Sequence, residues 1–109
     1  MAWFNKRTYV DLLDRTFDSR AEAERAVELA ALVRAGKIHS LDFQPRFDFV
    51  VEGVRVGRYT ADFSYWDVER GRAVVEDVKP KNGHRTEAYK IRKRLLMACH
   101  GVEVEEVAR

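Results

Sequence analysis

The feature that most constrains the fold is a central block of β-strand patterns that stands between two helical patterns. Within the block, apolar side chains alternate with polar ones, or aromatic and β-branched residues cluster, as is typical of strands. Gly53 and Gly57 are expected to bracket a hairpin connection, and Pro80 ends the last strand of the block. The predicted strands cover residues 41–44, 47–51, 59–66 and 73–79.

Capping residues and apolar steps of three and four mark the two helices. Ser19 begins the first helix and Gly36 ends it, while Thr86 begins the second and Gly101 ends it. Valines after the second helix predict one last short strand. Two helices that flank one sheet bury the apolar faces of all these elements. We therefore expect a single α/β domain over residues 1–109, with a mixed four- to five-stranded sheet and two main helices.

Composition excludes several classes of protein. The chain has 109 residues, of which 46% are hydrophobic and 35% charged, a balance typical of a globular domain. No apolar run approaches the roughly 20 residues that span a bilayer, so no membrane partner is expected. The N-terminus lacks the apolar segment of a signal peptide. Cys99 is the only cysteine, so no intrachain disulfide can form, and a cytoplasmic location is expected.

Charge is distributed unevenly along the chain. The net charge of +2 is too small to indicate a nucleic-acid partner by itself, but basic residues crowd the stretch from Lys79 to Arg94. This stretch is either a solvated helix face or a phosphate-binding surface beside an active site. Residues 1–16 precede the first helix and form either an N-terminal arm, with Trp3, Phe4 and the Lys6-Arg7 pair, or a disordered tail.

Acidic residues in two predicted strands suggest a metal site. Asp62 lies inside the third strand, where aspartate is disfavoured, as either an exposed edge residue or a metal ligand. In the triplet Asp77-Val78-Lys79, strand alternation puts Asp77 and Lys79 on one face, where they can share a phosphate-sized site. A surface ion pair is the plainer alternative. The same alternation points Glu76 away from Lys79. Glu76 therefore remains only a reserve candidate, because a β-bulge would be needed to place it on the same face as Lys79.

Glu22, in the first helix, is a third candidate acid. At about 100° per residue it lies on the inward side with Ala26 and Leu29, from which it could lean over the sheet towards the two aspartates. It could instead be the capping-box partner of Ser19. Both interpretations remain open.

Three carboxylates and a lysine suit Mg²⁺ or Mn²⁺, because these hard cations prefer oxygen ligands. The sequence has no CxxC or HxxxH pair for zinc. It has no glycine-rich phosphate loop, so no nucleotide cofactor is expected. The spacing indicates neither a Ser-His-Asp nor a Cys-His arrangement.

The order of these residues resembles the PD-(D/E)XK nuclease superfamily, whose motif acids and lysine appear here as Asp62 and Asp77-Val78-Lys79, with Glu22 in the preceding helix. The chain is more closely similar to a small phage and prophage family of unknown function, placed near the phage endonuclease I junction-resolving enzymes. This similarity covers roughly residues 6 to 107. It rests on the segments Phe17–Ala23, Leu41–Phe47, Tyr59–Phe63, Val75–Lys79 and Arg85–Lys90.

The resemblance implies a restriction-endonuclease-like core and a role for each matched residue. Asp62 would bridge the metals, Asp77 would be the second acid, and Lys79 would be the motif lysine. Glu22 would complete the metal site, together with the carbonyl of Val78.

Two further features concern the surroundings of that site. Gln44, next to Pro45, would be a polar residue on the neighbouring strand that supports it. The chain departs from its relatives after the motif lysine, where Pro80 stands in place of a frequent glycine and the loop Lys81–His84 follows. Substrate preference therefore carries over least well.

The implied activity is hydrolysis of DNA phosphodiester bonds, with branched or junction DNA as one substrate class. One or two Mg²⁺ or Mn²⁺ ions would bind the scissile phosphate and activate water, while Lys79 would stabilise the transition state. Cutting both strands would need a symmetric homodimer, and a phage protein would act in the bacterial host cytoplasm. The expected nucleic-acid-binding residues are Lys6, Arg7, Lys81, His84, Arg85, Lys90, Lys93 and Arg94.

Two other functions stay open. The chain could be a catalytically inactive nucleic-acid-binding protein that retains the nuclease fold, although the complete set of two acids and a lysine favours an enzyme. It could also be a structural or interaction protein whose acids form surface ion pairs.

Overall fold

The computed structural model describes residues 7–109, in which two helices pack on opposite faces of a four-stranded mixed sheet. The sheet has the order β3-β6-β7-β8, with β7 and β8 parallel and the other pairs antiparallel. This arrangement confirms the predicted α/β fold. The helices are α1 (Arg20–Arg34) and α2 (Glu87–His100), and the strands are β1 (Thr8–Val10), β2 (Arg15–Phe17), β3 (Ile38–Phe43), β4 (Arg46–Val51), β5 (Val54–Thr60), β6 (Phe63–Asp67), β7 (Arg72–Lys79) and β8 (Val104–Ala108).

The ends of both helices agree with the capping signals. Ser19 Oγ accepts the N–H of Glu22 at 3.1 Å, and Thr86 Oγ1 likewise accepts the N–H three residues further on. Gly36 and Gly101 follow the helices with φ angles of 74° and 67°, a conformation that glycine adopts without strain. The first cap fixes Glu22 in the first turn of α1. Neither helix within residues 7–109 is long and apolar enough to cross a membrane.

The prediction of one continuous strand over residues 59–66 was wrong, because the chain leaves the strand conformation in the middle of this segment. β5 ends before Asp62 and β6 begins after it, so Asp62 lies in a bend rather than in a strand interior. Its N–H donates to Asp77 Oδ1 at 3.0 Å and to the carbonyl of Glu76 at 3.1 Å. The carboxylate of Asp77 therefore takes part in the hydrogen bonding between this bend and β7, which strand propensity alone does not predict.

The neighbouring segment between β3 and β4 bends at the same level. Gln44 has a φ of 54°, and Pro45 has no N–H to offer a partner strand. Gln44 N–H donates to the carbonyl of Asp62 at 2.9 Å, and the carbonyl of Pro45 accepts the N–H of Ala61 at 3.0 Å. The pairs β3–β6 and β4–β5 are thus consecutive parts of one long antiparallel pair that bends at Asp62.

The hairpin turn between β4 and β5 is formed by Glu52 and Gly53, with φ angles of 51° and 78°. Two consecutive positive φ angles are typical of a two-residue hairpin turn. Gly57 was expected to bracket this connection, but it lies within β5 opposite Phe49. A Cβ at Gly57 would be 3.4 Å from the ring of Phe49, so the glycine leaves room for that buried ring.

A short hairpin precedes α1, in the region that sequence analysis assigned to an arm or tail over residues 1–16. β1 and β2 pair antiparallel across a 3-10 turn at Asp11–Leu13, and Phe17 at the end of β2 is buried in the core beside α1. Three-residue strands are too short to show a period in the sequence. Trp3, Phe4 and Lys6 lie outside the described residues.

The two faces of the sheet each carry an apolar cluster, one beneath each helix. Residues of β7 alternate between them, with Val74 and Val78 on the α1 side and Val75 on the α2 side. Glu76 therefore faces α1 and Asp77 faces α2, as strand alternation predicts.

Candidate active site

Two of the predicted acids meet where the bend at Asp62 adjoins the end of β7. Asp62 Oδ2 accepts the N–H of Val78 at 2.7 Å, and Asp77 Oδ1 accepts the N–H of Asp62 at 3.0 Å. Asp77 therefore binds the backbone of Asp62, and Asp62 binds the backbone of Val78, the residue that follows Asp77. The carbonyl of Val78 was predicted to be a metal ligand. In the structure, Val78 contacts the site through its N–H, which donates to Asp62.

Glu22 reaches the same bend from α1. It is only 7% exposed, and its carboxyl group shares a hydrogen bond with that of Asp62. Two carboxyl groups can share a hydrogen bond only when one of them holds a proton. Burial and the nearby charge of Asp62 accordingly raise the pKa of Glu22 to about 8. The backbone of Glu22 serves the cap at Ser19, while its side chain turns to Asp62.

Asp77 is the most deeply buried acid of the site, at 4% exposed. Its Oδ2 accepts a hydrogen bond from the hydroxyl of Tyr59. Burial raises the pKa of Asp77 to about 6, although the Tyr59 hydrogen bond opposes the rise. Burial also raises the pKa of Asp62, against the hydrogen bond from Val78 and the charge of Lys79. The acids therefore repel one another in a site of low dielectric.

Lys79 lies on the same side of β7 as Asp77, as predicted. Its ammonium group is 4.2 Å from the centroid of the Tyr89 ring, a cation–π contact, and its charge favours the ionised forms of both aspartates. Lys79, Asp62 and Asp77 line one cleft of about 380 Å³ between β5 and α2. The remaining residues of its lining are Arg58, Tyr59, Thr60, Tyr89 and Arg92.

The chemistry of the donor set fits a hard divalent cation, because Glu22, Asp62 and Asp77 offer only oxygen ligands. A cation would also relieve their mutual repulsion. Among residues 7–109, no group of three or more His, Cys, Asp and Glu side chains has its donor atoms gathered to hold one ion together. A cation would have to replace the proton between Glu22 and Asp62 and to draw in Asp77.

Replacement of Glu22 by glutamine is expected to stabilise the protein in EDTA at alkaline pH. The pKa of Glu22 is about 8 in the folded protein against 4.5 as its ordinary value, so folding favours the protonated acid. Stability that is present at pH 4.5 is therefore lost as the pH rises towards 8. Glutamine cannot ionise, so E22Q escapes this loss. A gain of about 1 kcal/mol would raise Tm by about 4–8 °C in a domain of this size.

Thermal unfolding followed by circular dichroism, at pH values on either side of this range, measures the effect. Glu24→Gln on the exposed side of α1 is the matched control, because Glu24 forms only surface ion pairs with the residues that the structure describes. We expect the Tm of E22Q to exceed that of the wild type only at the higher pH. An equal Tm for E22Q, Glu24→Gln and the wild type at both pH values would contradict the shared proton.

The pattern of a family described as a protein of unknown function, DUF1064, matches residues 4–107, almost the whole chain. The chain belongs to the DUF1064 family. The description of DUF1064 names no activity, so the relationship to PD-(D/E)XK nucleases stays a proposal. No curated protein and no solved structure showed a significant match.

Two of the basic residues predicted to bind nucleic acid in this DUF1064 chain are engaged by one carboxylate. Arg85 Nη2 lies 3.0 Å and Lys93 Nζ 3.5 Å from oxygens of Glu106 in β8, and the hydroxyl of Tyr89 donates to the same group at 2.7 Å. Arg85, above all, lowers the pKa of Glu106 to about 2. The charge of Glu106 therefore offsets part of the positive charge of Arg85 and Lys93.

The other predicted binding residues that the structure describes lie on the surface. Lys90 Nζ is 3.6 Å from Glu87 in a surface ion pair. Gln44, predicted to support the site from the neighbouring strand, lies just after β3, and its side chain is exposed. Its contact with Asp62 is made by the backbone N–H. Lys6 lies outside the described residues. The exposed basic residues of the prediction are Arg7, Lys81, His84, Lys90 and Arg94.

Sequence reasoning missed several residues that shape the cleft. Tyr89 and Arg92 are three positions apart in α2, so they share one face of the helix, and that spacing was the available signal. Arg58 gave no local signal, because its place in the cleft depends on the packing of β5 against α2. Tyr59 was recognised only as part of a strand.

Proposed function

We propose that this protein is a divalent-metal-dependent nuclease that hydrolyses phosphodiester bonds in DNA. The observation that carries the proposal is the cleft shared by Asp62, Asp77 and Lys79, with Glu22 hydrogen-bonded to Asp62 from behind. Buried acids with raised pKa values in a cleft are typical of functional sites. A protein whose acids served only as surface ion pairs would have no reason to bury Asp77 beside other carboxylates.

The residues of the cleft divide the proposed chemistry among them. Glu22, Asp62 and Asp77 would hold Mg²⁺ or Mn²⁺ after loss of the shared proton. The bound ion would supply activation of water and neutralisation of phosphate charge. Tyr59 keeps the Asp77 carboxylate oriented. Lys79, held against an aromatic ring beside both aspartates, would stabilise the negative charge that develops on the phosphate.

DNA and a second copy of the chain are the proposed partners. Residues 7–109 contain one cleft that combines Asp62 and Asp77 with Lys79, so cutting both strands of a duplex or a branched junction calls for two sites related by symmetry. The exposed lysines and arginines around the cleft would hold flanking phosphates without reading sequence. The proposed location is the cytoplasm, that of a bacterial host if the chain is phage-encoded.

A cleavage assay tests the proposal directly. The wild type is expected to cut four-way junction, linear duplex or single-stranded DNA in Mg²⁺ or Mn²⁺ and to leave them intact in EDTA. Asp62→Asn, which can still accept the N–H of Val78, is expected to fall to background on a gel. Asp42→Asn is the control, because Asp42 is an exposed aspartate of the neighbouring strand β3.

Background cleavage by both the wild type and Asp62→Asn, with every substrate and ion, would refute the nuclease proposal. Binding of DNA in those same samples would then favour the second candidate, a nucleic-acid-binding protein that retains the fold without the chemistry.

A further inference from the structure

Two arginines stand on opposite walls of the cleft, beside the acidic end. Arg58 belongs to β5 and Arg92 to α2, and both line the cleft that contains Asp62, Asp77 and Lys79. Both also line a second cavity of about 400 Å³, which continues the groove between β5 and α2 away from the acids. The two arginines therefore lie between the acidic cleft and this second cavity, and we call the two together a groove with an acidic part and a second part.

The second part of the groove has a different chemistry. Its walls include Val56 and Ile91, which are 59% and 46% exposed, and the buried ring of Phe49. Apolar side chains beside a pair of guanidinium groups suit a nucleotide, whose phosphate is anionic and whose sugar and base offer apolar surface. They do not suit a second metal ion or a free inorganic anion.

The charge of Arg92 is available to such a ligand. Within the part of the chain that the structure describes, Arg92 makes no ion pair, whereas Arg85 and Lys93 on the same side of the protein are held by Glu106. Arg58 Nε lies 2.9 Å from Asp48 Oδ1. This contact uses one N–H of Arg58 and leaves the other guanidinium N–H groups for a second acceptor.

We infer that Arg58 and Arg92 form a second phosphate subsite, which binds the backbone phosphate next to the one at the acidic cleft. This inference rests on the proposed nuclease function and adds the class of substrate: a polynucleotide strand that lies along the groove, with at least one further nucleotide beside the reacting bond. Guanidinium groups on two walls of the groove would bind a phosphate from both sides. Two such groups fix the position of the phosphate, which a single arginine cannot do. A phosphomonoester or a lone nucleotide would leave this subsite empty and react poorly.

The salt dependence of DNA binding tests the subsite without any need for cleavage. Binding of a fluorescent single-stranded oligonucleotide is followed by anisotropy in EDTA over a range of salt concentrations. The double variant Arg58→Gln/Arg92→Gln is expected to weaken binding several-fold and to reduce the slope of log K against log salt by about 0.7, the value for one single-strand phosphate contact. Each single variant should reduce the slope by less, because the other arginine still contacts the phosphate. Arg34→Gln is the control, since Arg34 lies at the far end of α1 from Glu22 and is exposed.

Replacing single phosphates of the oligonucleotide by neutral methylphosphonates locates the contact. In the wild type, one substitution beside the scissile bond is expected to slow cleavage, and in the double variant Arg58→Gln/Arg92→Gln the same substitution should slow it no further. A salt slope of Arg58→Gln/Arg92→Gln that equals the slope of Arg34→Gln would overturn the subsite, even if the wild type cleaves DNA. Arginine-dependent slopes without any cleavage would support the subsite and refute the nuclease. Absence of all DNA binding would overturn both.

Discussion

Asp77→Asn is expected to lower the rate of metal-dependent DNA cleavage by at least about 100-fold, because loss of even an outer-shell partner of a metal site costs about 10- to 100-fold. Asparagine keeps the size of the side chain and an oxygen that can accept the N–H of Asp62. It removes the negative charge that would help to hold a cation and position the phosphate. The expected result is therefore a folded protein that lacks activity, measured as the initial rate of cleavage at saturating Mn²⁺.

The folded state of that variant has to be shown separately. Its Tm in EDTA should be no lower than that of the wild type, because burial penalises the ionised form of Asp77 and asparagine carries no charge. Tyr59→Phe offers a graded comparison. It removes the hydroxyl that orients Asp77 but keeps the ring and the carboxylate. An Asp77→Asn protein with wild-type cleavage would exclude Asp77 from the site and leave the proposed mechanism without its second acid.

The faces of the acidic residues could be predicted from the sequence because local geometry determines them. Strand alternation put Asp77 and Lys79 on one side of β7 and Glu76 on the other. Helix periodicity put Glu22 on the inward side of α1. Each of these arguments needs only the residues of one element, and the structure agrees with each of them.

The contacts between elements could not be predicted in the same way. Asp62 was placed inside a strand because its segment is rich in aromatic and β-branched residues, but a bend forms there around hydrogen bonds to Asp77 and Glu76. The ion pair between Arg85 and Glu106 depends on the position of β8 beside β7. This parallel pairing joins segments that are far apart in sequence. The distribution of basic residues along the sequence therefore predicted a larger phosphate-binding surface than the ion pairs of the structure leave free.

A partly buried ion pair behind the cleft links α1 to the sheet. Glu76, which was the reserve candidate for a catalytic acid, is 2% exposed and faces α1. Arg25 Nε and Nη2 donate to its two carboxylate oxygens at 2.9 and 2.6 Å, and the hydroxyl of Tyr65 donates to the same group. Because Arg25 lies about one turn after Glu22 in α1, and Glu76 directly precedes Asp77 in β7, this pair links the elements that carry Glu22 and Asp77.

Arg25→Met is accordingly expected to lower the free energy of unfolding by about 3–5 kcal/mol, because it leaves the buried charge of Glu76 without its partner. Urea denaturation measures the change, with Arg34→Met on the exposed surface expected to stay within about 0.5 kcal/mol of the wild type. The double variant Arg25→Met/Glu76→Gln should recover much of the loss, since a neutral amide oxygen can still accept the hydroxyl of Tyr65. If Arg25→Met lost no more stability than Arg34→Met, the pair would contribute nothing to the fold. Glu22 would then be held beside Asp62 by the apolar packing of α1 alone.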